Sequence, residues 1–323
     1  MKVLFFSHDG KLGDAVVNTA FVNGLLSHHP DCEIHATVAG VTDAFWTLDG
    51  RIAKRWPLAL RSWGAIWRTG LAMRRERFDY IVTWRRMRSE KNKALLWLAQ
   101  PGKVIDLRGF YEDGLQHQIE TSRSAVRAIT GQEVAELRYD LAPVEPCPEL
   151  DRQLAAGCEL IVLNLFAADA ERNVPAPAAA AMLQGLRAQA PQAQLVLVCT
   201  NGSEAAARAV LTESGVDGCA VNCDGHLGRL FDLCSRAHLL ISPDTALIHL
   251  ASAFDTPVIG IYQNNQVKPV QWGPRSCHSA IVLSDSPHDI ARFSVDEVLA
   301  QARQLRAPAA EGAQPISFRP VIA

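Results

Sequence analysis

The chain has 323 residues, of which 48% are hydrophobic and 20% are charged, and its formal net charge at pH 7 is −2. This composition is ordinary for a soluble globular protein and argues against a dedicated nucleic-acid binder. No apolar run approaches the roughly 20 residues of a membrane span. Met1-Lys2 leads directly into the apolar residues 3–6 without the architecture of a signal peptide, so we expect a cytoplasmic protein.

The first half of the chain alternates between strand and helix patterns. Predicted strands cover residues 2–7, 33–38, 80–84 and 103–106. Predicted helices cover residues 14–27, 42–48, 61–77, 92–99 and 120–129. Such alternation predicts a doubly wound α/β domain with a parallel sheet.

A proline-containing stretch without an apolar period, residues 140–150, suits a linker between two domains. Strand patterns then return at 160–165, 194–199, 237–241 and 257–262, with helix patterns at 177–189, 204–211 and 227–235. The Pro/Ala-rich stretch after Arg306 resembles a tail. Two Rossmann-like halves predict a main cleft between the domains.

The charge is distributed unevenly. Residues 51–103 contain fourteen basic and three acidic residues, a net charge of +11, and five of the seven tryptophans. Arginines together with Trp63 and Trp67 suit an anionic lipid or glycolipid headgroup, although an ordinary exposed helical face has the same pattern. Nucleic acid is the competing partner, but the sequence contains no recognised nucleic-acid module.

The loop of residues 7–14 follows the first strand and opens the first helix. It lacks the third glycine of a dinucleotide fingerprint and the G-K-[ST] of a P-loop. Asp14 therefore has two interpretations, a carboxylate that stabilises the start of a helix or a general base.

Residues 242–249 form a polar segment after a buried strand pattern, and we predict that a helix begins near Leu250. Asp244 and Thr245 are suited to cap a helix, and the free amides of its first turn suit a phosphate. This segment lies at the carboxyl end of a predicted parallel strand, where open α/β sheets bind ligands. A capped helix without a ligand and a buried core role for His249 are the alternatives.

Three further positions follow strand patterns in the second half. Asn164 at a strand end and Arg172 beyond it are candidates for binding a diphosphate, and a solvated surface arginine is the alternative. Gly202 precedes a predicted helix, and its turn suits either a ribose or a helix cap.

Together these motifs resemble glycosyltransferase family 9, the heptosyltransferases of lipopolysaccharide assembly. Residues 12–16 (LGDAV) resemble the family's L-G-D-x-[VL] opening, and residues 77–82 resemble its R-x-D strand. His117, the segment 164–175 and the turn at 202–204 follow in the family's order. Residues 244–253 resemble D-[ST]-G-x-x-H-x-A-A-A, which is the most specific motif.

The resemblance implies a GT-B fold, in which two Rossmann-like domains with parallel sheets face each other across a cleft. It implies inverting transfer without a metal or a cofactor other than the nucleotide-sugar donor, with Asp14 as the catalytic base. The expected domains are an acceptor-binding domain at 1–145, a nucleotide-sugar-binding domain at 146–306 and a tail at 307–323.

The implied donor-binding set is Asn164, Arg172, Gly202, Asp244, Thr245, Ala246, Leu247 and His249. The implied acceptor-binding set is Lys11, Gly13, Arg61, Arg85, Arg86, Arg88 and His117. The expected partners are a nucleotide sugar such as ADP-heptose, a glycolipid or lipopolysaccharide acceptor, and the cytoplasmic face of the inner membrane, with no nucleic acid.

The chain departs from the family pattern in the donor half. Ala246 stands where the family has glycine, and Asn164-Leu165-Phe166 replaces N-P-G. The sequence therefore leaves two alternative functions open. The protein is either a transferase that uses another nucleotide sugar with an O-antigen or capsule acceptor, or a nucleotide-binding module that has lost catalysis. An NAD-dependent oxidoreductase fits less well, because neither half carries the glycine fingerprint.

Overall fold

The structure is a computed structural model that describes residues 1–7, 10–58, 62–84, 87–107, 116–134, 136–155 and 157–307. Three predicted acceptor-binding residues, Arg61, Arg85 and Arg86, lie outside the described residues, as does the predicted tail from residue 308 onward. The chain divides into two compact units, Met1–Ala142 and Pro143–Ala323.

Unit 1 is built on one parallel sheet. Its strands among the described residues are β1 (Lys2–Phe6), β2 (Glu33–Val38), β3 (Ile52–Pro57), β4 (Tyr80–Thr83) and β5 (Lys103–Asp106). Their order in the sheet is β3-β2-β1-β4-β5, and every pairing is parallel. The chain therefore builds outward from β1 in one direction and then restarts on its other side with β4.

Five helices follow the strands of unit 1 in the described residues. They are α1 (Leu12–His28), α2 (Val41–Leu48), α3 (Trp63–Glu76), α4 (Glu90–Ala99) and α5 (Gln118–Thr130). Apolar strand residues meet apolar helix residues in the core. The fully buried ring of Phe5 packs edge to face against Phe21 and Trp46, with centroid distances of 5.7 and 5.2 Å. Burying each such side chain contributes up to about 3 kcal/mol.

Unit 2 contains a second parallel sheet. Its strands among the described residues are β6 (Leu160–Asn164), β7 (Gln194–Cys199), β8 (Cys219–Asn222), β9 (Leu239–Pro243), β10 (Val258–Tyr262) and β11 (Ser279–Leu283). The sheet order is β11-β10-β9-β6-β7-β8, again with parallel pairings. The central strands β6, β9 and β10 are buried along their whole length and β7 along all but its first residue, as largely apolar sequences require.

The helices of unit 2 among the described residues are α6 (Pro148–Gln153), α7 (Ala176–Gln189), α8 (Glu204–Ser214), α9 (Leu227–Arg236), α10 (Ala246–Ala253), α11 (Lys268–Trp272) and α12 (Val295–Arg306). A 3-10 turn at Ala170–Arg172 precedes α7. Two predictions need correction here. Helix α6 begins inside the predicted linker, because Pro148 suits the first turn of a helix. Helix α10 begins at Ala246 and not near Leu250, because the Thr245 side chain caps it.

Within the described ranges, no helix is long and apolar enough to cross a membrane. All eight cysteines belong to those ranges and are free thiols.

Candidate functional site

The centre of the unit 2 sheet is its topological switch point. Strands β6 and β9 are neighbours, and the chain leaves them toward opposite edges of the sheet. In open α/β sheets, ligands bind beyond the carboxyl ends of the strands at such a point. Asn164 ends β6 and Pro243 ends β9, so the predicted donor residues that follow these strands lie at this position.

Asn164 connects the ends of the two strands. Its Nδ2 donates to Ser242 Oγ at 3.0 Å and to Thr245 Oγ1 at 3.1 Å, and its Oδ1 accepts from the amide of Phe166 at 3.2 Å. The Asn164 side chain is buried, so these bonds replace those that water would make. Asn164 therefore fixes the β6 loop against the β9 loop.

The hydroxyl groups in this network are fully used. Ser242 Oγ donates to the carbonyl of Pro243 at 2.8 Å and lies 2.9 Å from Thr245 Oγ1. Because Ser242 has one hydroxyl hydrogen, the Thr245 hydroxyl donates to Ser242. Thr245 Oγ1 also accepts from the amide of Leu247 at 3.3 Å, which caps α10. The first turn of α10, with the positive end of its dipole, is thus held at the carboxyl end of β9.

Arg172 reaches the same loop from the 3-10 turn. Its Nη1 donates to the carbonyl of Asp244 at 2.6 Å and to Asp244 Oδ2 at 3.3 Å, and its Nη2 lies 2.6 Å from Asp169 Oδ2. The guanidinium is partly exposed, whereas Asp244 is almost buried. The structure thus places a cation beside the start of α10, with two carboxylates to balance its charge.

The remaining donor candidates occupy different surroundings. His249 is buried on α10, and its ring packs edge to face against Trp272 at a centroid distance of 5.8 Å. Leu247 is also buried, and Ala246 is the first residue of α10. Gly202 lies in an exposed turn after β7, the strand that borders β6 on the side away from β9.

The switch point of unit 1 lies between β1 and β4. The end of β1 is anchored by Ser7, whose amide donates to Thr37 Oγ1 at 2.9 Å and whose Oγ accepts from Trp46 Nε1 at 3.3 Å. Asp14 lies beyond this anchor in the first turn of α1 and is half-buried. Asp14 is therefore placed on a helix at the carboxyl edge of the sheet, near the positive end of the helix dipole.

Three of the predicted acceptor residues have local roles in their helices. Lys11 is the exposed residue before α1, and its carbonyl accepts from the Ala15 amide at 3.2 Å. Gly13 lies in the first turn of the same helix. His117 caps α5, since its Nδ1 accepts from the amide of Ile119 at 3.1 Å.

A cavity of about 520 Å³ opens at the carboxyl ends of β4 and β5. It is lined by Thr83, Met87, Arg88, Lys93, Leu96, Val104 and Asp106. Of the predicted acceptor residues, Arg88 lines this cavity. The sequence reasoning did not identify Lys93 or Asp106, although both lie next to the ends of predicted elements.

The predicted donor-binding set did not include Ser242 and Asp169 of unit 2, which contact Asn164 and Arg172, respectively. The available signal for Ser242 was its hydroxyl at the end of a buried strand pattern. Asp169 offered a weaker signal, an aspartate three residues before an arginine.

An ion-pair cluster lies at the opposite, amino-terminal edge of the unit 1 sheet. Ligand atoms of Glu33, His35 and Glu76 lie within 4.8 Å of one another. The ammonium of Lys2, however, lies 2.9 Å from Glu33 and 3.0 Å from Glu76, and Lys54 lies 2.6 Å from Glu76. The lysines already neutralise these carboxylates, so the cluster has the character of a structural ion-pair network.

Hydrogen bonds within the cluster lower the pKa of both glutamates, and for Glu33 the bond from Lys2 has the larger effect and the bond from His35 the next. Hydrogen bonds from Lys54 and then Lys2 lower the pKa of Glu76 to about 2. Burial lowers the pKa of His35. The bond between His35 and Glu33, at 2.7 Å, acts in the opposite direction but is the smaller effect.

Comparisons with known proteins agree with this architecture. The sequence model of glycosyltransferase family 9 (heptosyltransferase) matches residues 106–298. Because the match covers more than half of the chain, the protein belongs to glycosyltransferase family 9. No curated protein matches the chain in sequence.

Three solved structures illustrate the similarity of the fold. A glycosyl transferase family 9 protein from Veillonella parvula DSM 2008 has a TM-score of 0.75 at 15% identity, over 94% of this chain and 97% of that chain. The E. coli ADP-heptose lps heptosyltransferase II has a TM-score of 0.71 at 15% identity, over 95% of this chain and 98% of that chain. E. coli heptosyltransferase WaaC with ADP has a TM-score of 0.72 at 17% identity, over 94% of this chain and 100% of that chain.

The family, the α/β fold class with two parallel sheets, and the enzyme class of glycosyltransferase are therefore confirmed as predicted. The roles assigned to individual residues stay predictions, as do the binding functions assigned to the two domains.

Proposed function

We propose that this glycosyltransferase transfers a heptose from ADP-heptose to a lipopolysaccharide core or a related glycan, with inversion at the anomeric carbon and without a metal. The observation that carries the proposal is the hydrogen-bonded network of Asn164, Ser242 and Thr245, which holds the start of α10 at the switch point of the unit 2 sheet. The E. coli relatives named for ADP-heptose and ADP support a nucleotide-sugar donor.

On the donor side, the diphosphate would lie at the first turn of α10, where the amides and the helix dipole favour an anion. Arg172 would provide the positive charge that balances the departing diphosphate. Since its guanidinium already contacts Asp169 and Asp244, the donor would draw Arg172 away from one of these carboxylates. Fixed dipoles and one cation would then perform the charge stabilisation that a metal ion performs in other transferases.

On the acceptor side, we assign the cavity at the ends of β4 and β5 to part of a phosphorylated glycolipid. Arg88 and Lys93 supply positive charge, and Leu96 and Val104 supply apolar surface. This combination suits a ligand that has both phosphate groups and less polar surface.

Asp14 would act as the general base. As the acceptor hydroxyl oxygen attacks the anomeric carbon, Asp14 takes the hydroxyl proton, a C–O bond forms on one face of the sugar, and the bond to the diphosphate breaks on the other. The electron pair of the broken bond leaves with ADP. Inversion follows because attack and departure occur on opposite faces.

The test of Asp14 is Asp14→Asn, assayed for transfer and for ADP affinity. Removal of a general base costs roughly 100-fold or more in turnover, while nucleotide affinity should not change. Asp43→Asn is the matched control, because Asp43 occupies the first turn of α2 after the neighbouring strand β2. Turnover of Asp14→Asn within a few-fold of wild type would reject Asp14 as the base.

The donor is tested by calorimetry with ADP, UDP, GDP and CDP in the presence of a chelator, followed by transfer assays with ADP-heptose and core glycolipid. Selective binding of ADP that survives the chelator supports the proposal. Selectivity for another nucleotide would instead favour a different nucleotide sugar, for O-antigen or capsule synthesis. Tight donor binding without transfer would favour a module that has lost catalysis.

We further propose that the enzyme works in the cytoplasm, at the cytoplasmic face of the inner membrane, where it would meet a glycolipid acceptor. Fractionation of cells that express the full chain would test this location.

A further inference from the structure

Helices α3 and α4 of unit 1 expose a connected set of large apolar side chains. Trp63, Trp67 and Leu71 recur every fourth residue on one side of α3, and they are 51%, 50% and 43% exposed. Trp97 of α4 is 66% exposed, and its ring lies edge to face with that of Trp67 at a centroid distance of 6.4 Å. We call these four residues the α3–α4 aromatic face.

The adjacent side of α3 accounts for the packing of the helix. Ile66, Gly70 and Met73 are buried there. A Cβ added to Gly70 would lie 2.5 Å from Leu98 Cβ, so α3 and α4 approach each other closely. The buried contacts between α3 and α4 therefore lie outside the exposed aromatic set, whose rings face solvent over half or more of their surface.

Isolated apolar residues on a protein surface are common, but a contiguous aromatic patch indicates an interaction surface. Indole rings in particular favour the boundary between water and lipid, because they combine a large apolar surface with one N–H donor. The composition of the α3–α4 aromatic face is thus that of a surface that contacts a bilayer.

The basic residues near this face favour a bilayer that contains anionic lipids. Arg68, Arg74 and Arg75 are exposed on α3. Among the residues that the structure describes, none of the three forms an ion pair with a carboxylate. The one acid of α3, Glu76, is already paired with Lys2 and Lys54. Each basic residue near an anionic membrane surface contributes about 1 kcal/mol of attraction.

We propose that the α3–α4 aromatic face docks unit 1 on a bilayer that contains anionic lipids. The indoles and Leu71 enter the interfacial region, and the arginines of α3 contact the headgroups. Both helices begin at the carboxyl edge of the sheet, the edge that carries Asp14 and the cavity with Arg88. The docking surface extends the proposed function, which supplies a reason to approach a membrane, but it does not depend on the identity of the donor or acceptor.

The experiment is cosedimentation of the purified full chain with vesicles, in parallel with phosphatidylcholine alone and with an equal mixture of phosphatidylcholine and phosphatidylglycerol. Because no glycolipid acceptor is present, failure of the heptosyltransferase proposal would not affect the result. We expect preferential binding to the anionic vesicles, weakened by salt.

Two double variants identify the surface. Trp67→Ser with Trp97→Ser should reduce partitioning about tenfold or more, since interfacial binding scales with buried apolar area. Trp67→Phe with Trp97→Phe should retain most of it. The matched control is Leu48→Ser, which removes a side chain that is 47% exposed on α2, outside the face. Circular dichroism and the melting temperature check that each variant is folded.

Absence of vesicle binding by the wild type would overturn the proposal, and so would equal binding by the wild type and the serine double variant. If the wild type instead dimerises in the ultracentrifuge and the serine variant does not, without vesicle binding in either case, the face belongs to a second copy of the chain and the proposal is wrong.

Discussion

Removal of the Asn164 side chain should destabilise unit 2 and weaken nucleotide binding together. Asn164→Ala deletes three hydrogen bonds, at 3.0, 3.1 and 3.2 Å, from a buried position. A hydrogen bond contributes about 1 kcal/mol net, and buried partners left without one cost more. We therefore expect a loss of about 2–3 kcal/mol in the free energy of unfolding of unit 2.

The chain provides a matched control in Asn222 at the end of the edge strand β8. It also makes three hydrogen bonds, to Asn201, Glu204 and the amide of Asp224. These groups are accessible to water, which can replace the lost partners, so Asn222→Ala should cost less than about 1 kcal/mol.

Scanning calorimetry of both variants, with and without ADP, measures the effect. A change of 1 kcal/mol corresponds to about 2–4 °C for a domain of this size, so Asn164→Ala should lower the transition of unit 2 by roughly 4–12 °C. ADP affinity should fall about tenfold for Asn164→Ala, because α10 loses its anchor, and stay unchanged for Asn222→Ala. Equal shifts in the two variants would refute the claim that Asn164 has a special role at the switch point.

Two further predictions concern unit 1. Gly10 has a φ of 72°, and an added Cβ would lie 3.3 Å from the carbonyl oxygen of Ala39, so Gly10→Ala should destabilise unit 1 by about 1–2 kcal/mol in urea unfolding. Gly50→Ala, whose methyl would meet no described atom within 4 Å, should leave the free energy of unfolding unchanged. Equal losses of stability in the two variants would contradict the proposed backbone strain at Gly10. Glu76→Gln should lower stability at pH 7 by about 1–2 kcal/mol, less than the full pKa shift implies, because solvent screens its partly exposed ion pairs. Since the pKa of Glu76 in the folded state is depressed to about 2, its contribution to stability is complete above the ordinary pKa of 4.5 and is lost as the pH falls toward 2. The free energies of unfolding of wild type and Glu76→Gln should therefore become similar near pH 2. A difference in stability that does not change with pH would contradict this assignment.

The sequence predicted the central strands better than the edge strands, for a physical reason. Each central strand was predicted, and β7 has the predicted bounds, because a buried strand requires a largely apolar sequence. Of the edge strands, β5 was predicted with its bounds, whereas β3, β8 and β11 were not predicted. In β3 only Ile52 and Trp56 are buried, and exposed lysine and arginine residues between them hide the apolar pattern. Edge strands tolerate such charges, since one side of the strand faces solvent.

The positions of the candidate site residues followed from their place after strands, but their contacts did not. Asn164 bonds to residues 78 and 81 positions away, and Arg172 to one 72 positions away. Sequence spacing carries no information on such pairings, which depend on the order of strands in the sheet. The structure gives Asn164 and Arg172 contacts that fix the loops, and their assignment as diphosphate ligands stays a prediction.

The two units fix their switch points by the same physical means. In unit 1, the buried Ser7 is bonded to Thr37 and Trp46 at the end of β1. In unit 2, the buried Ser242 is bonded to Asn164 and lies beside Thr245 at the end of β9.

Hydrogen bonds to a buried hydroxyl offset the cost of taking it out of water, so each network stabilises the end of its strand. The helices that begin after these loops are α1, which carries Asp14, and α10. The proposed base and the proposed anion-binding helix start thus follow strand ends that are fixed by groups which need not contact the substrates. Substitutions in the networks should therefore change stability and activity together, whereas Asp14→Asn should change activity alone.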